Sequence, residues 1–200
     1  TDAISLKADF RRRENEGVRQ FGGASYTNAS QLPAPFDHQT DELELERVEF
    51  DPIRGLTDIA ELARLETPDD RTIDVDCVLP VSTSVLADQR LFLRAIENLV
   101  RNAVRHAGNR VQLVLTDDED DIRVSVHDDG PGIPPEIADT LFLPMVTGGT
   151  GGLGLGLSIA QSLINQHHGL IECRSRKGET VFTIYLPLID DTDTDERKEQ

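Results

Sequence analysis

Apolar residues recur along this chain with two periods, and the switches between them mark its elements. Leu91, Ala95, Leu99 and Ala103 stand four apart, and Phe92, Ile96 and Val100 widen the stripe, which predicts a long helix. Asp88 is a good N-cap for that helix, and Gly108 a good stop after about residue 107. Ile53, Leu56, Ile59, Ala60, Ala63 and Leu65 predict a shorter helix with Pro52 at its first position. Elsewhere period two takes over. Val48 and Phe50, then Ile73, Val75 and Cys77, then Val111, Leu113 and Leu115, then Ile122, Val124 and Val126 alternate as strands. An apolar helix at residues 155–166 and two more strands at 170–174 and 181–186 complete the pattern. Helices and strands mixed in this order, ending in paired strands, predict an α/β (α+β) two-layer sandwich. Its sheet is expected to be mixed but largely antiparallel, with helices on one face. No internal repeat is evident.

The flanks read differently. Residues 1–24 are polar and rich in arginine (Arg11, Arg12, Arg13, Arg19), with apolar Ile4, Leu6, Phe10, Val18 and Phe21. This pattern suits the end of a helix that needs a partner. Gly22-Gly23 and small polar residues would end it, and Leu32-Pro33-Ala34-Pro35 reads as a stiff linker. The compact domain is expected at residues 45–189, and residues 190–200 read as a charged, disordered acidic tail.

With 38% hydrophobic residues, 4% aromatic and no Trp, the core must be aliphatic. The net charge of −17 argues against nucleic acid or an anionic membrane as the main partner, so any phosphate site must be made locally. Cys77 and Cys173 have no metal-ligand spacing and read as buried, reduced thiols. The run of acids from Asp117 to Asp121 reads as a solvated hairpin loop. No stretch has the length of a membrane span and no signal peptide is evident, so the expectation is a soluble, cytoplasmic chain. Opening on Thr1, it also reads as a piece of something longer.

Two glycine-rich turns carry the candidate chemistry. Asp128-Asp129-Gly130-Pro131-Gly132-Ile133 follows a predicted strand, and a carboxylate beside glycines there suits a purine. Gly152-Leu153-Gly154-Leu155-Gly156-Leu157 opens a helix, whose free N–H groups and dipole favour phosphate. Within the long helix, Asn98, Asn102 and Arg105 share a stripe beside the buried one. They are either solvent-facing or locally bonded amides, or an amide oxygen for magnesium with an arginine for phosphate. Magnesium keeps waters and substrate phosphates, so one neutral amide is chemically sufficient.

Four boxes in order make a resemblance. Asn98-Leu99-Val100-Arg101-Asn102-Ala103, the turn at Asp128, Leu141-Phe142-Leu143-Pro144-Met145-Val146, and the run from Gly152 to Ser158 resemble the N, G1, F and G2 boxes of the histidine-kinase catalytic domain. That domain lies within the ATPase superfamily of gyrase, Hsp90, histidine kinases and MutL. Phe142 with its neighbours, Gln166-His167-His168-Gly169 and Tyr185-Leu186-Pro187 resemble the nitrogen-regulation sensor kinases most. The resemblance implies ATP and Mg²⁺ as cofactors. It makes Asn102 the metal ligand, with Asn98 and Asn102 as catalytic candidates. It makes Asp128 the adenine reader, with Gly130 and Gly132 letting the ring approach. Gly152, Leu153, Gly154, Leu155, Gly156 and Leu157 would hold the phosphates. Phe142 is either the anchor of a mobile lid at about 134–150 or an ordinary core aromatic. Arg105 and His106 fall at phosphate or ribose positions, and His106 equally suits a surface histidine near a helix end.

The implied partners are histidine-bearing dimerisation helices, of which residues 1–44 would be a remnant and linker, and a response-regulator receiver domain. A homodimer is expected at full length, with no nucleic acid, either in the cytoplasm or as the cytoplasmic part of a membrane-bound sensor. Two features depart from the family pattern. Thr147-Gly148-Gly149-Thr150-Gly151 carries no charge, so a phosphate contact is either lost or supplied by Arg101 or Arg105. None of His38, His106, His127, His167 and His168 sits in the phosphoacceptor pattern. Two alternatives stay open. A gyrase- or MutL-like hydrolase would need a water-activating glutamate where Asn98 stands, and Glu97 is one residue away, about 100° round the helix. A degenerate nucleotide-binding regulatory module would bind without turnover.

Overall fold

The computed structural model describes residues 45–67, 72–117, 121–146 and 153–187, together with the strand Ala24–Thr27. The arginine-rich N-terminal segment, the Pro-rich linker, Gly152 with the uncharged run before it, and the acidic tail lie outside these residues.

The strands are β1 (Ala24–Thr27), β2 (Val48–Phe50), β3 (Asp74–Val78), β4 (Val85–Ala87), β5 (Arg110–Asp117), β6 (Asp121–Asp128), β7 (Leu170–Arg176) and β8 (Glu179–Pro187). The helices are α1 (Ile53–Leu65), α2 (Gln89–His106), α3 (Pro135–Ala138) and α4 (Gly156–Gln166). One mixed sheet runs β1-β7-β8-β6-β5-β3, antiparallel except for the parallel β3/β5 pair, and β2 pairs with β4 separately.

Alternation along the strands makes the sheet two-faced. Val111, Leu113 and Leu115 of β5, Ile122, Val124 and Val126 of β6, and Phe182, Ile184 and Leu186 of β8 are buried. Their alternates, such as Gln112, Arg123, Ser125 and Thr183, are only half-buried. The buried face meets Leu91, Phe92, Ala95, Ile96, Leu99, Val100 and Ala103 of α2, which crosses β5 and β6 and packs along α4. This is the expected one-faced sandwich. The α2 prediction holds at its start as well, since the Asp88 carboxylate accepts from Leu91 N at 3.0 Å. Pro52 is the N-cap of α1 rather than its first residue.

Three elements were not predicted. β4 is three residues long and α3 four, too short for any period to register. β1 falls between the expected helix remnant and linker. Its Ser-Tyr-Thr composition suits a strand, yet only its antiparallel pairing with the open edge of β7 makes it one.

His167 ties the two functional helices together. It is buried, its Nε2 accepts from Asp88 N at 3.1 Å, and its Nδ1 therefore carries the proton and donates to Leu163 O at 2.7 Å. The ring joins the start of α2 to the last turn of α4. His167→Ala is expected to lower unfolding free energy by about 2–4 kcal/mol, since it strands two buried backbone groups and opens a cavity. Urea denaturation checks this; a loss under 1 kcal/mol would make the tie incidental.

Candidate functional site

Continuing the β6 alternation past Val126 puts Asp128 on the helix-covered face, where the residue is only 5% exposed. Its Oδ1 accepts from Gly130 N at 2.9 Å. Burial pushes its carboxyl up to about 6; the Gly130 N–H pulls the other way, and the Asp129 charge adds to the rise. A buried carboxylate whose charge burial disfavours is a poor structural group and a good acceptor for a ligand N–H. Beyond it the chain turns sharply. Gly132 takes φ +87° beside the Arg176 carbonyl, Gly178 N donates to Gly130 O at 2.9 Å, and Ile133 N donates to Ser175 Oγ at 2.9 Å. The turn after β6 is thereby fastened to the β7–β8 hairpin.

The stripe on α2 runs between the two glycine turns. At one end, a Cβ on Gly156 would stand 3.4 Å from Asn98 Oδ1, while Asn98 Nδ2 donates to Arg94 O at 2.8 Å. At the other end, the backbone of Gly130 presses on the carbonyl of His106, where any Cβ would overlap it. Positions 98, 102 and 106 are successive i, i+4 neighbours, so Asn102 lies midway along about 12 Å of helix. Asn98 and Asn102 are half-buried and Arg105 is exposed. His106 is half-buried, so its side chain is neither fully exposed nor enclosed.

The start of α4 carries no capping side chain among the described residues; its N-cap is Leu155, and its first turn comprises Gly156, Leu157 and Ser158. Amides at such a helix end are suited to an anion. Gly154 precedes it with φ +66°, and its carbonyl accepts from Met145 N at 3.0 Å, so the segment leaving the F box closes onto the second glycine turn. An alanine at Gly154 would combine a left-handed φ with a Cβ 2.5 Å from Val146 O. Leu153 is 81% exposed, whereas Leu155 and Leu157 are half-buried and Leu157 packs on the core. Phe142 sets its ring edge-on to Phe182, centroids 6.3 Å apart, and packs on the core. The stretch expected to form the lid opens with α3, and residues 147–152 lie outside the described ones.

One cation and two acids fall elsewhere. Arg101 pairs with Glu66 at 2.9 Å and with Glu97 at 3.1 Å on the exposed side of α2, facing the end of α1. It is therefore engaged in exposed ion pairs away from the stripe, and Glu97 is likewise turned from it. Cys173 is buried beside Asp128, and burial first, then that charge, pushes its thiol up; Cys77 is half-buried, and both are free thiols. Among the described residues no helix is long and apolar enough to cross a membrane.

This geometry has counterparts. A family model described as histidine kinase-, DNA gyrase B-, and HSP90-like ATPase matches residues 87–190. The chain belongs to this ATPase family. Sensory histidine kinase/phosphatase NtrB of Vibrio alginolyticus is 63% identical over 67 residues, 34% of this chain and 19% of that protein. NtrB of Escherichia coli O157:H7 is 40% identical over 145 residues, 65% of this chain. The chain spans only 41% of that relative's length. Among solved structures, the catalytic domain of histidine kinase ThkA is similar with TM-score 0.64 and 30% identity, covering 71% of this chain and 95% of that one. Full-length ShkA in complex with AMPPNP is similar with TM-score 0.66 and 27% identity, covering 74% and 32%. The ATPase-family domain of this chain thus has the histidine-kinase form of the fold.

One residue of the site escaped the sequence reading. Asp129 accepts from the backbone N–H groups of Gly108, Asn109 and Arg110, on the far side of the turn from Asp128. A second carboxylate beside Asp128 was visible in the sequence; its partners, some twenty residues upstream, were not.

Proposed function

We propose that residues 45–189 bind MgATP and, in the whole protein, present its γ-phosphoryl to a histidine on dimerisation helices for relay to a response-regulator aspartate. Residues 1–44, apart from strand β1, are in this reading a remnant of those helices with their linker, and residues 190–200 an acidic tail. The observation that carries it is the α2 stripe, which touches the Gly130 turn at one end and the Gly156 turn at the other, with Asn102 between.

Asp128 accepts the adenine amino group, and Gly130 and Gly132 let the ring lie close. Arg105 and His106 serve ribose or phosphate. Backbone amides from Gly152 through Leu157, those of Leu153, Gly154, Leu155 and Gly156 included, hold the phosphates. Asn98 keeps its amide over the start of α4, and Phe142 anchors the lid. The donor set fits magnesium, since a half-buried neutral amide oxygen beside a phosphate site leaves room for waters and substrate oxygens. When bound there through Asn102, Mg²⁺ draws charge from the β- and γ-phosphates. The protein otherwise contributes position: reacting groups held in line, with little covalent work of its own. Glu97 stands about 100° round the helix from the Asn98 position and pairs with Arg101 on the exposed side, which supports transfer over hydrolysis. The names of the NtrB relatives and the AMPPNP held by ShkA support the same reading. Full-length homodimerisation, a receiver-domain partner, no nucleic acid and cytoplasmic placement belong to it.

Calorimetry with MgATP tests binding, expected in the micromolar-to-millimolar range. Incubation with γ-labelled ATP is expected to leave this chain unlabelled, while an added acceptor domain gains acid-labile label. Absence of any MgATP binding would retire the proposal.

A further inference from the structure

Asp128 ends β6 and Asp129 follows it, and an extended chain sends the two carboxylates to opposite sides. Asp128 is buried on the helix-covered side. Asp129 faces the turn that joins α2 to β5, and its Oδ1 accepts from Gly108 N at 2.8 Å, Asn109 N at 2.9 Å and Arg110 N at 3.0 Å. Oδ2 adds a bond from Asn109 N at 3.1 Å, and Asp129 N donates to Arg110 O at 3.3 Å. Three successive backbone N–H groups converging on one carboxylate form an anion nest closed from within the chain. Partial burial works against the charge, but the N–H groups of Arg110, Asn109 and Gly108 outweigh it and hold the carboxyl below its usual range. The next residue, Gly130, lies against the His106 carbonyl in the last turn of α2.

We infer that Asp129 is a positioning residue that sets the spacing between the adenine pocket at Asp128 and the phosphate- and metal-facing stripe of α2. The inference rests on the nucleotide reading above. A ligand that touches only one of the two regions is indifferent to their spacing. One that spans both gains its second set of contacts only if the spacing is right. Asp129 touches no part of the nucleotide, so its effect passes entirely through the α2–β5 turn.

The test is calorimetry on the full chain with adenine, which reaches only the Asp128 region, and with MgADP, which spans both regions. In Asp129→Ala, adenine affinity is expected to stay within about twofold of wild type, while MgADP affinity falls about tenfold or more, the scale of one lost hydrogen bond to a charged group. Asp129→Asn is expected to recover much of MgADP binding, because Oδ1 accepts all three N–H groups and an amide oxygen can replace it, with only the Oδ2 bond from Asn109 N lost. Should the alanine variant fail to fold, Asp129→Glu keeps the charge but moves the oxygens outward by one methylene, and the same selective loss is expected. Equal losses for both ligands, or an unchanged ratio, would overturn the inference, as would an asparagine variant as weak as alanine. A wild type that binds neither ligand overturns the nucleotide reading and this inference with it. A wild type that binds both, with variants of unchanged ratio, overturns this inference alone.

Discussion

Asp128→Asn is expected to stabilise the nucleotide-free chain while weakening its hold on adenine nucleotides roughly ten- to a hundred-fold. The two effects have one cause. Burial raises this carboxyl from 3.8 to about 6, so the folded state is penalised for carrying the charge. The sign follows from linkage: the folded pKa lies above the unfolded one, so the penalty is absent below 3.8, grows between 3.8 and about 6, and is complete at neutral pH. A shift of about two pKa units corresponds to about 3 kcal/mol as an upper bound. Asparagine keeps an oxygen for Gly130 N and carries no charge, so a gain of about 1–2 kcal/mol at pH 7.5 is expected once amide desolvation is deducted. The same replacement weakens the acceptor for the adenine amino group and can turn a donor toward it, costing about 1.5–3 kcal/mol of binding. Wild-type affinity should likewise fall as pH drops through about 6, and the stability gap between the two proteins should close by pH 4. Thermal melts at pH 7.5 and 4, with calorimetry alongside, check every part. A variant that melts lower at pH 7.5, or binds ATP unchanged, would place the adenine reader elsewhere.

Asn102→Ala is expected to weaken MgATP binding far more than metal-free nucleotide binding, and to abolish transfer to a separately supplied acceptor domain. Magnesium demands near-octahedral oxygens, and this amide would fix the ion relative to the phosphates. Asn102 lies midway along the stripe and is half-buried, so its loss as a merely structural group would cost about 1 kcal/mol of stability and affect both nucleotide forms alike. Titrations with ADP and ATP in magnesium and then in EDTA separate the cases. Equal losses in both would leave Asn102 a scaffold residue.

The long elements were legible because each buries one face, and burial writes its period into the residues. α2 is the clearest case: its stripe, its Asp88 cap and its stop near Gly108 all stand in the sequence, because a helix end must satisfy its own amides locally. β5, β6, β7 and β8 read as strands for the same reason, and the glycine turns announced themselves by residue type. What stayed hidden depends on partners distant in sequence. β4 is a strand only because β2 lies beside it, and β1 only because β7 leaves an edge. Arg101 pairs with Glu66 only because α1 brings that carboxylate to it. Asp129 owes its backbone partners to the turn after α2, which folds onto it. The residue types able to bind a nucleotide were set by the sequence alone. Their common placement along one side of α2 was decided only by packing, because hydrogen bonds and ion pairs between remote segments leave no period in the chain.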